Sequence, residues 1–251
     1  MAISDLILLV VVFFLTSVVG VVTGSNSLIA VPAMFQLGVP AKVAVATNMF
    51  ALVFMSVGGT IPFLRNRTID VRRILPLLVI TLVSSAVGAL IVGLITDQSL
   101  KLIVSIAMIV VALFILAKRD AGVAAERAVP LKYQVLVFVL TFLLGIYGGL
   151  FSGGYVTMLT AVLVAFFGMT FSQSVASTKL INVVSSSIAT AVFMWQGLVD
   201  YRLGVVLGLT MFVAAYVGAH YATKMNDLWL KRIFLAAVFL LAFKTLFDFF
   251  G

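Results

Sequence analysis

Lys179 is the one charged residue set well inside an apolar stretch: Tyr133–Thr178 before it and Leu180–Val199 after it carry no charge. About eight residues into a helix, it would lie roughly 12 Å deep at 1.5 Å rise per residue. Ionisable groups at that depth are costly and rare, and they point to function. Asn182 and Ser186 follow at i+3 and i+7 and share its helical face, with Thr178 and Ser185 on the flank. A cation among amide and hydroxyl groups is chemistry for holding an anion. The bland alternative is a lysine whose stem snorkels to the headgroups.

Two glycine- and serine-rich breaks could supply the rest of such a site. They are Thr23-Gly24-Ser25-Asn26-Ser27 and Gly148-Gly149-Leu150-Phe151-Ser152-Gly153-Gly154. Glycine disfavours a helix interior, so each break predicts two short helices, with Pro32 and the Gly38-Val39-Pro40 turn as further punctuation. Non-helical backbone at membrane depth persists only where protein or a cavity surrounds it. The helix starts at Ser25–Ser27 and Ser152–Gly154 then offer free N–H groups and a dipole that favour an anion, with the side chains of Ser25, Asn26, Ser27 and Ser152 as added donors. Close helix packing is the competing use of such small residues.

Other chemistries are thin. His220 has the pKa of a proton carrier but stands near the end of an apolar segment, where interfacial packing is the commoner role. No Asp or Glu lies deep in an apolar run, so a carboxylate proton relay is not expected. With no cysteine and one histidine, thiol catalysis, disulfides and most metal sites are excluded, and no cofactor is expected. Ser84-Ser85 and Ser185-Ser186-Ser187 read as packing faces, Ser186 excepted, and Trp195 and Trp229 as interfacial anchors.

The elements positioning these residues are membrane helices. Of 251 residues, 64% are hydrophobic and 10% charged, outside the range of soluble domains. Met-Ala-Ile-Ser-Asp lacks the basic start of an export signal, so Leu6 is expected to open the first membrane segment. Uncharged runs cover Leu6–Ala41, Val43–Leu64, Ile74–Thr96, Leu102–Ala117, Tyr133–Thr178, Leu180–Val199 and Leu203–Thr223, and Ile233–Phe243 extends past Lys244. A span needs about 20 residues; the first and fifth runs, at 36 and 46, each hold a broken pair. No soluble domain, P-loop or nucleic-acid module is present, so uphill transport would draw on an ion gradient.

The chain also repeats. A shift of 130 lays Ile69-Asp70-Val71-Arg72 on Val199-Asp200-Tyr201-Arg202, Val87-Gly88-Ala89 on Val217-Gly218-Ala219, and Asp97 and Lys101 on Asp227 and Lys231. One residue more brings Ala46-Thr47-Asn48 onto Ser177-Thr178-Lys179, making Asn48, beside Thr47, the partner of Lys179. The expected domains are a first membrane repeat (1–118), a cytoplasmic connector (119–130) and a second membrane repeat (131–251). Each repeat holds a broken or re-entrant pair and three spans, an odd number of crossings, so the second is inverted. The charges agree: one side collects Arg65, Arg67, Arg72, Arg73, Lys118, Arg119, Arg127, Lys132, Lys224, Lys231 and Arg232, and the other Lys42, Lys101, Arg202 and Lys244. By the positive-inside rule the first side is cytoplasmic and both termini lie outside. The fold class is therefore an all-α integral membrane protein of two inverted repeats, an architecture that places substrate at broken helices near the midplane.

These motifs resemble the sulfite exporter TauE/SafE family, also called the toluene-sulfonate uptake permease family, over nearly the whole chain. The carriers are Gly145–Gly154, Ala176–Asn182, Gly197–Tyr201, Gly24–Ala33 and Ala46-Thr47-Asn48. The resemblance implies a secondary transporter, often an exporter, of sulfite, sulfoacetate or other small anions across a prokaryotic cytoplasmic membrane. It departs from the family at Met49, where a lysine is frequent, and in a first break poorer in glycine. The expected binding set is Ser25, Asn26, Ser27, Thr47, Asn48, Ser152, Gly153, Gly154, Thr178, Lys179, Asn182 and Ser186, with His220 as a candidate proton site. Partners are a small anion and lipid; the number of subunits and proton coupling stay open. A passive anion channel on the same scaffold is not separated from a transporter by these residues. An intramembrane enzyme lacks a nucleophile with its base, and a structural subunit would have no need of paired polar breaks.

Overall fold

The computed structural model describes residues 2–24, 26–106, 130–226, 228–229 and 232. All regular structure among them is helical: α1 (Ile3–Thr23), α2 (Ser27–Gln36), α3 (Ala41–Arg65), α4 (Val71–Leu94), α5 (97–106), α6 (Leu131–Leu150), α7 (Tyr155–Phe166), α8 (Phe171–Trp195) and α9 (Tyr201–Ala222). Six of them, α1, α3, α4, α6, α8 and α9, are long and apolar enough to cross a membrane. This is the expected all-α membrane protein. Ser25, most of the 119–130 connector and the apolar run 233–243 lie outside the described residues.

The broken pairs differ from the expectation of two short helices. α1 and α6 run 21 and 20 residues, and only α2 and α7, at 10 and 12, are short. Gly148 and Gly149 lie inside α6, and Pro32 lies inside α2. The cost of these residues in a helix is offset by packing, because Gly149 lets α6 sit against the backbone of Ser85 on α4. Each pair folds back on itself. The Tyr133 ring, near the start of α6, stacks 6.3 Å from Phe166, the last residue of α7. Asn26, leading into α2, reaches back along α1 to Thr16, at 3.0 Å, and donates to Ser17 Oγ at 2.8 Å.

The two hairpins enter from opposite ends of the bundle. α2 finishes beside the start of α5, with Lys101 Nζ 5.8 Å from the Phe35 ring, and α3 begins after a four-residue link. α7 finishes at the far end, where the Phe167 carbonyl accepts from the Arg73 guanidinium at the start of α4. α9 runs in the same sense as α3, since Gly204, Gly208 and Phe212 lie beside Phe50, Phe54 and Gly58 in turn. α8 runs against α3: Asn182 meets Ser56, and the stem of Lys179 meets Gly59. Contacts are exchanged between halves, α4 packing on α6 and α8 as α9 packs on α1 and α3.

The repeated motifs now have physical roles. Asp70 and Asp200 cap α4 and α9, accepting from the Arg73 and Leu203 N–H groups at 3.2 and 3.1 Å, the arrangement that makes aspartate a favoured N-cap. Gly88 and Gly218, from the two Val-Gly-Ala triplets, face the backbone carbonyls of Ile146 on α6 and Val18 on α1 so closely that a Cβ would overlap them. Gly88→Ala and Gly218→Ala should each cost about 1–3 kcal/mol, the usual penalty of overpacking. Thermal unfolding in detergent reads this as a lowered midpoint for both variants; unchanged midpoints would remove close approach as the reason for the triplets. The serine pairs are packing faces as expected: Ser85 Oγ lies 2.7 Å from Ser185 Oγ and donates to the Gly145 carbonyl at 3.1 Å.

Candidate functional site

The hairpin tips lie side by side in the middle of the bundle because small residues and positive-φ glycines build them. Gly24 closes α1 with φ 71°, and Gly154 precedes α7 with φ 79°, a conformation strained for residues with a side chain. A Cβ on Gly24 would also stand 2.6 Å from Val156 Cβ of the other hairpin. Thr157 Oγ1 donates to the Thr23 carbonyl at 2.5 Å. Ser27 Oγ and Ser152 Oγ are 2.7 Å apart, and Asn48 Nδ2 donates to Ser27 Oγ at 2.9 Å.

Beside this seam is a small cavity of about 10 Å³, near the least that admits one water. Its polar lining is Asn26, Ser27, Ser56, Ser152, Lys179 and Asn182; Leu52, Met55 and Val156 form the apolar part, with Gly20 and Gly24. Both hairpins, α3 and α8 therefore contribute. An oxoanion would enter only as these walls part.

The electrostatics are one-sided. Lys179 is 3% exposed, and its ammonium donates to the Gly20 carbonyl at 3.3 Å. No carboxylate lines the cavity among the described residues; Asp70 and Asp200 are helix caps, and Asp97 accepts from the Lys42 N–H at a bundle end. A buried cation without a counter-charge is costly, and an ammonium has three donors for one carbonyl here. Asn182 Nδ2 donates to Ser56 Oγ at 2.6 Å, while Asn182 Oδ1 is buried without a partner. Asn26 Nδ2 is shared between Ser17 Oγ and Met55 Sδ. The arrangement can hold a small anion against Lys179, with hydroxyl and amide groups around it.

Of the residues expected from sequence, Asn26, Ser27, Ser152, Lys179 and Asn182 meet in this cavity, and Asn48 stands one hydrogen bond away at Ser27. Others sit elsewhere. Thr47 Oγ1 accepts from the Asp200 N–H at 3.0 Å and holds the approach to α9. Thr178 Oγ1 donates to the Val175 carbonyl, and Ser186 Oγ to the Asn182 carbonyl. The Gly153 carbonyl accepts from the Tyr147 hydroxyl, and Gly154 supplies the turn into α7. His220 is exposed on α9, its ring edge-on to Tyr221. Ser25 lies outside the described residues.

Leu52, Met55 and Ser56 were not anticipated. Their signal was spacing, since they follow Asn48 at i+4, i+7 and i+8 on one face of α3. The pairing of Lys179 with Asn48 is also corrected. α3 and α8 have bounds offset by 130, and that offset superposes Val45-Ala46 on Val175-Ala176 and Met49 on Lys179. Met49 is buried at 1% exposure, so the two halves differ by one cation at this level.

Comparison with known proteins agrees with the architecture. The family model described as Sulfite exporter TauE/SafE matches residues 8–245. The probable membrane transporter protein ORF9 of a Sinorhizobium species is 27% identical, over 96% of this chain and 92% of its own. A probable membrane transporter protein of Haemophilus influenzae is 24% identical over 97% and 95%, and YfcA of Escherichia coli, also a probable membrane transporter protein, is 23% identical over 96% and 91%. No solved structure matches. With a match spanning nearly all of its length and six helices fit to cross a membrane, the chain belongs to the sulfite exporter TauE/SafE family and is a multi-pass membrane transporter of that type.

Proposed function

We propose that the protein is a secondary-active exporter of a small sulfur-containing anion, sulfite or an organosulfonate, across the prokaryotic cytoplasmic membrane. The carrying observation is the small cavity between two opposed hairpin tips, in which Lys179 is a buried cation with no carboxylate among the lining residues. Residues 1–118 and 131–251 act as inverted repeats about that cavity, joined by the cytoplasmic connector 119–130. Support comes from the opposite sense of α3 and α8 and from charge: Arg65, Arg67, Arg72, Arg73, Lys132 and Lys224 gather at one end, with Lys42, Lys101 and Arg202 at the other. The richer end faces the cytoplasm. Alternating access is then a shift of one hairpin past the other, exposing the cavity to each side in turn.

Flux of sulfite in proteoliposomes tests the reading. Saturation with concentration is expected; a linear, unsaturable flux would mean a channel, and no flux would end the sulfur-anion assignment. In the same assay His220→Ala should transport at the wild-type rate, because His220 is exposed and absent from the cavity lining. A severe loss on that substitution would make it a proton site after all.

A further inference from the structure

We propose that the cavity takes its substrate as a singly charged oxoanion, so that sulfite travels as hydrogensulfite and brings its own proton. This rests on the anion-transport reading above and narrows its substrate class. Charge is the first argument. Lys179 is the one ionisable residue in the lining, and Leu52, Met55 and Val156 form its apolar walls. A monoanion leaves the occupied site neutral. A dianion leaves a net negative charge among buried side chains, where uncompensated charge is expensive. The starts of α2 and α7 add partial charges only, which fall off within a turn. The equivalent position in the other half holds Met49, so no second cation completes the site.

Hydrogen bonding is the second argument. The Lys179 ammonium has donors beyond the one it gives Gly20, and Asn182 Oδ1 is a buried acceptor with no donor. A protonated oxoanion matches both, offering oxygens to the ammonium and a proton to the amide oxygen. Apart from Lys179, no ionisable group lines the cavity. Of the elements packed on α8, α3 carries Lys42 and Arg65, and α4 carries Arg72 and Arg73, all at helix ends. α6 carries Lys132, Tyr133 and Tyr147, and α7 carries Tyr155; none of these lines the cavity, and Asp5 of α1 is at its exposed start. A protonated anion therefore carries its own proton through a cavity whose one ionisable lining group is Lys179.

The experiment is flux into proteoliposomes at equal internal and external pH, stepped from mildly acidic to alkaline, with sulfite, methanesulfonate, sulfoacetate and sulfate. Methanesulfonate is a monoanion throughout, so dividing by its flux removes any titration of the protein itself. The ratio of sulfite to methanesulfonate flux should hold steady in acid and fall about tenfold per pH unit once sulfite becomes a dianion. Sulfate and sulfoacetate, dianions across the range, should stay at background. A ratio that does not change with pH, or sulfate or sulfoacetate moving as fast as methanesulfonate, overturns the proposal. If neither sulfite nor methanesulfonate moves at any pH, the sulfur-anion reading itself fails and this proposal with it.

Discussion

Lys179→Met will abolish saturable anion flux and raise the thermal stability of the protein. Methionine has nearly the length of lysine without the charge, so the stem's contact with Gly59 survives while the ammonium goes. Removing one member of a buried charge pair costs about 2–5 kcal/mol of binding, which lowers anion affinity roughly 30- to 4,000-fold. In the empty protein the same change removes a buried cation held by one carbonyl at 3.3 Å. Replacing buried charge by apolar volume is commonly neutral or stabilising by about 1–4 kcal/mol. The Gly20 carbonyl is not orphaned, because it also accepts from the Gly24 N–H at 2.8 Å. Opposite movements of flux and melting temperature are the signature of a residue kept for binding at the expense of stability. A lower melting temperature together with intact flux would make Lys179 a structural residue and remove the centre of the site.

A second large effect is expected at the seam between hairpins. The chain has no cysteine, so Ser27→Cys with Ser152→Cys introduces one isolated pair. The serine oxygens are 2.7 Å apart, and a disulfide needs sulfurs about 2.05 Å apart with Cβ atoms roughly 3.5–4.5 Å apart. Mild oxidation should therefore link the tips. Flux in the oxidised protein should drop to background and return with reductant to the level of the reduced double variant. That result ties transport to relative movement of α2 and α7. Full transport by protein shown to be crosslinked would mean that the tips move as one body, and access would have to change elsewhere.

Much of the architecture is legible in the sequence because lipid imposes few solutions. A helix must satisfy its own backbone, so uncharged runs near 20 residues read directly as spans; α3, α4 and α9 match such runs to within two or three residues at their ends, while α1 and α6 each open one of the two longer runs. The repeat was legible because caps and close approaches demand particular residues: aspartate at positions 70 and 200, glycine at 88 and 218. Glycines within α6 misled the reading of the break, since a residue that disfavours a helix in water is stabilised in one by the neighbour it lets approach.

Within the site the division follows the same physics. Lys179 and Asn182 could be placed on one helical face by spacing alone, and a charge at depth identified itself. The breaks announced the tips that bring Asn26, Ser27 and Ser152 inward. Ser56 and Met55 had only their spacing from Asn48 to mark them, for a serine or methionine in an apolar helix is otherwise ordinary. They belong to the cavity because α3 crosses α8 where Asn182 meets Ser56. Thr47 and Thr178 looked equally suited to binding, yet the fold turns one toward Asp200 and the other onto its own helix. Residue type and period determined which groups could reach the middle of the membrane and that an anion would suit them. Which of those groups share one cavity was decided by tertiary packing, because helix period sets a side chain's face but not what the neighbouring helix presents to it.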